Sequence, residues 1–349
     1  MAIYHTFLTV LVPSIVSFVI TIFAVEFLMG YLKNAGIVEE DRNKEKPVKL
    51  PSSMGLSVVF GTIVGLLTYV FGVTFVFKTD AHLIFDTRNL FAVSLSLMLI
   101  SFVGFLDDIN VKSKMVNATD IKSYKEGLKQ WQKPLLTVIG ALPLMAVNAG
   151  VNVVHVPFLG LIGLGLWYPL LVLPLAIIFV SNAVNLLGGF DGLQTGTGIV
   201  ALSGFFIYSL LYGNHLGALI SATLLASLLA FLPFNLGKVI PGDSFTYMLG
   251  AGMVSIMVLG NAEAFGIIVF MPWIIEFFLH LRRKFKVSDL GIRQKDGTFK
   301  APYGKHIYSL THLVMNIRPL REREVAFYIS LIELAFVALA FAIKLCGFL

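Results

Sequence analysis

The run FLTVLVPSIVSFVITIFAVEFLMGYL, from Phe7 to Leu32, decides the class of this protein. It contains 26 residues and a single charged side chain, Glu26. An α-helix needs about 20 apolar residues to cross roughly 30 Å of hydrocarbon, so this stretch is long enough to span a bilayer. No Lys or Arg precedes the run and no small-residue cleavage site follows it. This pattern favours a retained transmembrane helix over a cleaved signal peptide.

Apolar runs of comparable length recur along the chain. Of the 349 residues, 57% are hydrophobic and 13% are charged, whereas soluble domains carry about 25% charged residues. The sequence therefore predicts an all-α polytopic membrane protein with about ten transmembrane helices, in a single domain over residues 1–349. The Val- and Gly-rich segment 150–165 is too short for a span and is expected to form a small hairpin outside the membrane. The predicted spans are Phe7–Leu32, Met54–Phe77, Leu90–Leu106, Pro134–Ala149, Trp167–Leu187, Thr195–Tyr212, Leu216–Pro233, Ser244–Gly260, Ala264–Leu281 and Val325–Leu345.

Basic residues gather in the loops that follow the odd-numbered spans. These loops hold 23 of the 26 Lys and Arg residues, and the other side holds Lys78, Arg88 and Lys344. Because cytoplasmic loops are rich in Lys and Arg, this asymmetry predicts cytoplasmic odd-numbered loops and both termini outside. The net charge of +6 is then a signal of topology and does not indicate nucleic acid as a partner. The one cysteine, Cys346, is expected to have no chemical role.

Two adjacent carboxylates end the third span, in SFVGFLDDIN from Ser101 to Asn110. Asp107 and Asp108 would be costly at a membrane boundary unless they bind a cation, pair with basic groups or face water. A solvated helix end would also explain them. This pair alone is therefore a weak indication of a site.

Amide and carboxylate side chains surround a glycine pair at the end of the fifth span, in SNAVNLLGGFDGLQTG. Asn182 and Asn185 are three residues apart and share a helix face. Their amides can offer oxygens to a hard cation, and the glycines let backbone amides approach an anion, with Asp191 close by. The alternative is that the asparagines only join neighbouring helices.

A third polar motif, PFNLGKVIPGDSFTYMLG, precedes the eighth span and contains Lys238 and Asp243. Asp243 could simply cap the helix, but capping leaves the nearby lysine unexplained. All three motifs fall on the predicted cytoplasmic side. Carboxylates and amides suit Mg²⁺ shared with substrate phosphates, and lysines such as Lys238 can hold the remaining phosphate charge.

At these residues the sequence resembles the polyprenyl-phosphate N-acetylhexosamine-1-phosphate transferases, most strongly the dolichyl-phosphate N-acetylglucosamine-1-phosphate transferases of eukaryotes and archaea. The matching stretches are KPVKLPSSMG, GFLDDIN, NAVNLLGGFDGL, PGDSFTYMLG and HLVMNIRPLRERE. The resemblance implies transfer of GlcNAc-1-phosphate from UDP-GlcNAc to dolichyl or polyprenyl phosphate on the cytoplasmic face, with release of UMP and a need for Mg²⁺. This would be the first step of lipid-linked oligosaccharide assembly.

The resemblance also implies roles for individual residues. Asp243 and Asn185 match the metal ligands of the family, and Lys133 looks like its phosphate-binding lysine. Asp107 and Asp108 match the aspartate pair near the lipid phosphate. Three roles stay open for this pair: removing a proton, orienting the acceptor, or attacking as a nucleophile.

The substrate side of the site is less fully matched. Asn182 shares the Asn-x-x-Asn face, and Asp191 and Leu193 fall in the segment implied to contact uridine. Arg282 and Arg283 are candidate pyrophosphate clamps, because a guanidinium can bind phosphate oxygens through two hydrogen bonds. The histidines His280, His306 and His312 cannot be ranked as sugar contacts.

Two other functions remain open at this point. One is the same reaction with another UDP-N-acetylhexosamine, and the other is a membrane transporter, with which the intramembrane Glu26, Glu276 and Glu333 are compatible. The sequence also leaves open the oligomeric state, a homodimer included. It does not distinguish an archaeal plasma membrane from the endoplasmic reticulum.

Overall fold

In the residues that the structure describes, the protein is a bundle of α-helices with four short β-hairpins. The computed structural model describes residues 2–76, 81–109, 112–113, 125–126, 128–129, 131–150, 153–156 and 160–347. A 3₁₀ turn, Val138–Ala141, joins α4 to α5, and a π-helical turn, Tyr168–Val172, leads into α6. The helices are α1 Ala2–Asn34, α2 Gly55–Phe75, α3 Ala81–Ile109, α4 Gln132–Thr137, α5 Leu142–Ala146, α6 Leu173–Leu186, α7 Leu193–Leu211, α8 His215–Asn235, α9 Asp243–Leu259, α10 Glu263–Val269, α11 Met271–Leu281, α12 Leu310–Ile317 and α13 Glu322–Leu345.

Each hairpin is an antiparallel pair of short strands. The hairpin predicted in segment 150–165 is confirmed, since Val153 pairs with Gly163 and Val156 with Gly160. The sequence did not predict the other three. The strands are β1 Val38–Asp41, β2 Val48–Pro51, β3 Lys112–Ser113, β4 Lys125–Glu126, β5 Val153–Val156, β6 Gly160–Gly163, β7 Ile292–Arg293 and β8 Phe299–Lys300.

The all-α membrane class is confirmed by the length and composition of the helices. Among the described residues, seven helical segments are long and apolar enough to cross a bilayer. They are the main parts of α1 and α3, the whole of α2, α7, α8 and α13, and the segment Tyr168–Leu186, in which the π-helical turn continues into α6. The helices α10 and α11 form an eighth candidate span that bends by 55°. Pro272 stands just after this break, and because proline has no N–H to donate, it interrupts the helical hydrogen bonds there.

The remaining two predicted spans are shorter than a full membrane crossing. The helix α9 has 17 residues, and the segment predicted as Pro134–Ala149 is divided into α4, the 3₁₀ turn and α5. The count of ten spans and their orientation therefore stay predictions.

The centre of the bundle is α9, whose residues from Ser244 to Val258 are all buried. It packs against α2, α3, α6 and α8. Close packing depends on glycines in its neighbours: a Cβ at Gly55 would overlap the backbone of Phe245, and a Cβ at Gly104 would overlap that of Asp243. This packing brings the ends of α2 and α3 to the N-terminus of α9, where the polar motifs meet.

Candidate active site

The N-terminus of α9 is capped by a side chain from another helix. The backbone N–H of Asp243 donates to Asp108 Oδ1 at 2.8 Å, and the N–H of Ser244 lies 3.3 Å from Asp108 Oδ2. The Ser53 hydroxyl also donates to this carboxylate. The alternative that Asp243 is itself the cap is wrong, because Asp243 is the first helical residue and Gly242 occupies the N-cap position with a φ of 77°.

A lysine bridges two of the predicted carboxylates. Lys133 Nζ lies 2.6 Å from Asp107 Oδ2 and 3.1 Å from Asp243 Oδ2. Asp107 is buried, and its Oδ1 accepts a hydrogen bond from the N–H of Leu128 at 2.6 Å. Burial by itself would lower the pKa of Lys133, but the carboxylates of Asp243 and Asp107 outweigh it and raise the pKa. The lysine is therefore a fixed positive charge between them.

The two asparagines of α6 have different surroundings. Asn185 lines the cleft described below, and its Oδ1 lies 3.0 Å from the hydroxyl of Thr246, one turn after Asp243. Asn182 donates to the carbonyl oxygen of Ile178 at 2.8 Å and to the hydroxyl of Thr137 at 3.1 Å. Asn182 thus ties α6 to α4, as in the alternative that asparagines join helices.

Of these groups, Asp108, Asn185 and Asp243 line an open cleft of about 610 Å³. Its walls come from the β1–β2 hairpin, the end of α3, the glycine-containing loop after α6, the segment before α9 and the loop after α11. The polar residues in its lining are Glu39, Glu40, Asp41, Arg42, Asn43, Lys49, Ser52, Asp108, Asn185, Asp191, Gln194, Asn235, Asp243, Asp289 and Glu322. Seven of them are carboxylates other than Asp108, so a bound polyphosphate would need cations beside it.

Asp191 is held in an ion-pair cluster at one end of the cleft. Lys44 Nζ lies 2.5 Å from Asp191 Oδ2 and 2.7 Å from Glu322 Oε2. Burial raises the pKa of Asp191 from its ordinary 3.8 to about 6, with the Lys44 ammonium opposing the shift and the Glu322 carboxylate adding to it. The cluster joins the β1–β2 hairpin, the loop after α6 and the start of α13.

Besides Asn182, four predicted substrate-binding residues do not line the cleft. Leu193 is fully buried at the start of α7, and the exposed Lys238 has its ammonium 5.6 Å from the centre of the Phe234 ring. Arg282 and Arg283 are exposed and lie over the ring of Tyr308 at 5.4 and 5.1 Å. The substrate contacts assigned to these residues stay predictions.

Two of the three histidines are buried in structural contacts. His280 Nε2 lies 2.9 Å from both Glu276 Oε1 and Asp289 Oδ1, and His312 Nε2 lies 3.0 Å from the carbonyl oxygen of Ser288. Burial lowers the pKa of His312. His306 is exposed and stacks on Tyr308 with a centroid distance of 5.9 Å.

Two groups of side chains in the described part of the chain have ligand atoms close enough to hold a metal ion. They are Glu276 with His280 and Asp289, and Asp41 with Asp191 and Glu322. In the second group the Lys44 ammonium already lies between the carboxylates, at 2.5 to 3.3 Å. The predicted ligands Asp243 and Asn185 belong to neither group. Their donor set is one carboxylate and one amide oxygen at the cleft, which suits a hard ion that shares oxygens with a substrate.

Sequence reasoning missed several residues that build the site. Ser53 and Tyr247 contact the Asp108 and Asp107 carboxylates, the latter at 3.4 Å, and Lys44 and Glu322 surround Asp191. Tyr247 lies within the quoted motif PGDSFTYMLG, one turn after Asp243, so helical spacing could have indicated it. Lys44 gave no such signal, because its partners lie 147 and 278 positions away.

The chain is similar to proteins of one family along most of its length. Residues 90–261 match the family model described as glycosyl transferase family 4. A protein of Saccharolobus solfataricus, provisionally named UDP-N-acetylglucosamine–dolichyl-phosphate N-acetylglucosaminephosphotransferase, is 30% identical over 95% of this chain and 96% of its own. A protein of Sulfolobus acidocaldarius with the same provisional name is 29% identical over 95% of each chain. The phospho-N-acetylmuramoyl-pentapeptide-transferase of Clostridium perfringens is 27% identical over 95% of this chain and 97% of its own.

Proposed function

This chain belongs to glycosyl transferase family 4, and on that premise we propose that it transfers GlcNAc-1-phosphate from UDP-GlcNAc to dolichyl or a related polyprenyl phosphate. The observation that carries the proposal is the arrangement of Asp107, Lys133 and Asp243 at the N-terminus of α9. This group lies at the ends of apolar helices, beside a polar cleft. A water-soluble nucleotide sugar and a membrane-held phosphate can meet at such a boundary.

The proposed reaction is a single displacement at phosphorus. An oxygen of the lipid phosphate attacks the β-phosphorus of UDP-GlcNAc, a new P–O bond forms, and the bond to the bridging oxygen breaks as UMP leaves. A phosphate monoester has a second pKa of about 6, so much of the acceptor is already dianionic at neutral pH. The reaction therefore needs positioning and charge stabilisation more than a strong base.

The contacts of Asp107 and Asp108 favour positioning roles for both. Asp108 caps α9 and thereby fixes Asp243, while Asp107 fixes the ammonium of Lys133. Lys133 has a quarter of its side chain exposed, so it can also face a phosphate oxygen and stabilise charge that develops there. A covalent route through either aspartate is less favoured, because both carboxylates already accept hydrogen bonds from the backbone.

The proposed cofactor is Mg²⁺, held by Asp243 and Asn185. Asp243 is half-buried, with 22% of its side chain exposed, and its carboxylate carries the charge that a hard cation requires. Asn185 Oδ1 has a second lone pair beyond the one that faces Thr246. When bound, Mg²⁺ would offset the negative charge of the diphosphate.

The proposed substrate contacts rest on the lining of the cleft and on unpaired basic groups. Asp191 is proposed to lie beside the uridine of the bound nucleotide. The buried Leu193 is proposed to anchor the loop after α6 to the hydrophobic core. Among the described residues, neither Arg282 nor Arg283 has a carboxylate partner, so their guanidinium groups are able to turn toward phosphate. Lys238 is a more distant candidate because its ammonium lies over Phe234.

The proposal includes a location for the cleft. The protein is an integral multi-pass membrane protein, and the cleft is proposed to face the cytoplasm, where the basic loops are expected. Membership of a transferase family and a polar site at span ends both argue against the transporter alternative.

Purified protein in lipid nanodiscs would test the proposal. It is incubated with Mg²⁺, dolichyl phosphate and one UDP-sugar at a time, and UMP is measured. We expect UMP release with UDP-GlcNAc and a matching lipid diphosphate product. UMP release only with another UDP-N-acetylhexosamine would show that the substrate is that sugar nucleotide. No UMP release with any UDP-sugar, together with sugar uptake into vesicles, would show that the protein is a transporter.

A further inference from the structure

The strip Ser288–Leu290 forms a wall of the cleft and is held firmly by its neighbours. Asp289 and Leu290 line the cleft, and a Cβ added at Gly189, where φ is 88°, would press against Leu290. The carbonyl oxygen of Asp289 accepts a hydrogen bond from the Thr311 hydroxyl at 2.9 Å. The N–H of Ser288 donates to the Tyr303 hydroxyl at 3.2 Å. The backbone of this strip is thus fixed by Thr311 of α12 and by Tyr303, while the Leu290 side chain packs against Gly189 in the loop after α6.

One of the two carboxylate oxygens of Asp289 is in ion-pair contact with His280. Asp289 Oδ1 is buried and lies 2.9 Å from His280 Nε2. His280 in turn faces Glu276, whose Oε2 accepts the N–H of Leu310 at the start of α12. The Asp289 side chain is 20% exposed, and since Oδ1 is buried, Oδ2 is the oxygen that a ligand in the cleft can reach.

Asp289 differs in its partners from four other carboxylates of the cleft. Asp191 and Glu322 face the Lys44 ammonium, Asp243 faces Lys133, and Asp108 caps α9 with both oxygens. Asp289 has no lysine or arginine partner among the described residues, and its Oδ2 has no partner there. The residue therefore offers a fixed hydrogen-bond acceptor to the cleft.

We infer that Asp289 binds hydroxyl groups of the nucleotide sugar through Oδ2, and that His280 and Glu276 are positioning residues for it. The inference rests on the proposed function for the identity of the ligand. A carboxylate accepts short, charge-assisted hydrogen bonds from O–H donors, and it repels phosphate, which places it beside a sugar ring. Both ribose and the hexosamine carry such hydroxyls, so either ring can be the one that Asp289 recognises.

The test compares the binding of UMP and of UDP-GlcNAc to Asp289→Ala and Asp289→Asn by calorimetry, alongside the KM for UDP-GlcNAc. Asp296→Ala is the matched control, because Asp296 is an exposed aspartate of the same loop outside the cleft. A hydrogen bond to a charged group corresponds to a loss of about tenfold or more. We expect Asp289→Ala to raise the KM for UDP-GlcNAc by that factor with little change in the KM for lipid phosphate.

The pattern of losses identifies the ring. Weaker binding of both ligands assigns the hydroxyls to ribose, and weaker binding of UDP-GlcNAc alone assigns them to the hexosamine. Unchanged binding of both ligands by a folded Asp289→Ala protein overturns the inference, because alanine has no acceptor oxygen while asparagine keeps one. Failure of the wild-type protein to release UMP would instead count against the proposed function, since nucleotide binding is measured separately.

The positioning role has its own readout. His280→Ala should raise the KM for UDP-GlcNAc about as much as Asp289→Ala does. Its effect on kcat should be smaller than its effect on this KM. His280→Gln should restore most of the affinity, because the glutamine amide can donate from near the position of Nε2. Equal KM values for wild type and a folded His280→Ala protein would remove His280 from this role.

Discussion

Asp107 and Asp108 are neighbours in sequence, but their carboxylates have different partners. Asp108 caps α9 through two backbone N–H groups, whereas Asp107 is paired with Lys133. Asp243, 135 positions later in the chain than Asp108, shares the lysine with Asp107. The three carboxylates therefore need different chemical properties. The cap formed by Asp108 needs acceptor oxygens, whereas the ion pairs of Asp107 and Asp243, and a metal site at Asp243, need negative charge.

This difference predicts unequal effects of the same isosteric substitution. Asp243→Asn should nearly abolish UMP release, because it removes the charge that Mg²⁺ needs. Asp108→Asn should keep more activity than Asp243→Asn, since one amide oxygen can still accept the N–H of Asp243 as an Asn cap does, although the contacts of the second oxygen are lost. Thermal melting, Mg²⁺ titration and UMP release are measured on the same preparations. Equal losses of turnover in the two variants would contradict the division of roles.

Alanine at position 108 provides the corresponding stability measurement. Removing a cap costs about 1 kcal/mol, so Asp108→Ala should melt at a lower temperature than wild type. Asp243→Asn should melt closer to wild type, because Asp243 does not cap the helix and Lys133 keeps its ion pair with Asp107. A normal melting temperature for Asp108→Ala would show that the cap contributes little.

The raised pKa of Asp191 predicts a pH dependence of stability. Its pKa is about 6 in the folded protein, against an ordinary 3.8, mainly because of burial. A carboxyl with a raised pKa binds its proton more tightly when folded, so its contribution is present at low pH and is lost as pH rises through about 6. Relative to Asp191→Asn, wild type should lose stability between pH 4 and pH 6 and stay level above pH 7.

Melting temperatures of both proteins across this range measure the effect. The Asn variant does not titrate at this position and is the reference. A constant difference between the two proteins from pH 4 to pH 7 would indicate an ordinary pKa for Asp191.

The close packing of α9 depends on glycines, both in a neighbouring helix and in α9 itself. A Cβ at Gly104 of α3 would overlap the carbonyl group of Asp243, and one at Gly250 of α9 would overlap the backbone of Ser181. Backbone atoms cannot move aside as a flexible side chain can, so these glycines set the distance between helices. The geometry at Asp243 is therefore a property of helix packing as well as of the motif itself.

Gly104→Ala tests this dependence. The added methyl group should push α3 away from α9, lower the melting temperature and reduce UMP release at least about tenfold, because small misplacements of reacting groups are costly. Gly30→Ala is the control, since Gly30 is also helical and a Cβ there meets nothing within 4 Å. It should be neutral or slightly stabilising by helix propensity. Similar behaviour of the two variants would mean that the contact at Gly104 is relaxed in the membrane.

The sequence predicted the elements that carry a local signal. Long apolar runs predicted the spanning helices, and the segment 150–165 was correctly predicted as a hairpin. The motifs containing Asp107, Asn185 and Asp243 do line or border one site, because each stands at a helix end.

Other features depend on contacts between distant parts of the chain. The cap from Asp108 to α9 and the ion pair between Lys44 and Asp191 have no periodic pattern, and they require the packed bundle to bring their partners together. The bend between α10 and α11 was also missed, since hydropathy treats Ala264–Leu281 as one apolar run. The sequence could not predict which arginines face the cleft. A basic residue in a cytoplasmic loop can set the membrane orientation or bind phosphate, and both roles give the same sequence pattern.

At the scale of the whole molecule, the helices differ in how far they are buried. In the most apolar part of α8, 78% of the residues are buried, against 28% in α13. The helix α13 is therefore peripheral and presents most of its surface outward, as expected for a helix that faces lipid. Its first residue, Glu322, joins the ion-pair cluster beside the cleft, so α13 leads directly from the site across the bundle.

The two ends of α13 allow the membrane orientation predicted from the charge asymmetry to be tested. A helix of 24 residues extends about 36 Å, enough to cross a membrane. The exposed Cys346 follows its last turn and thus lies across the bundle from the cleft. If the basic loops and the cleft are cytoplasmic, this cysteine is outside.

Cys346 is the only cysteine in the sequence, so the native protein already has a single site for thiol labelling. A membrane-impermeant maleimide added to intact cells should label wild type through Cys346. The double variant Cys346→Ser with Lys295→Cys places the probe on the exposed turn between β7 and β8, and it should react only after permeabilisation. Cys346→Ser alone is the unlabelled control. Labelling of both positions from one side would mean that α13 does not cross the membrane, and the reverse pattern would place the cleft outside and separate it from cytoplasmic UDP-sugars.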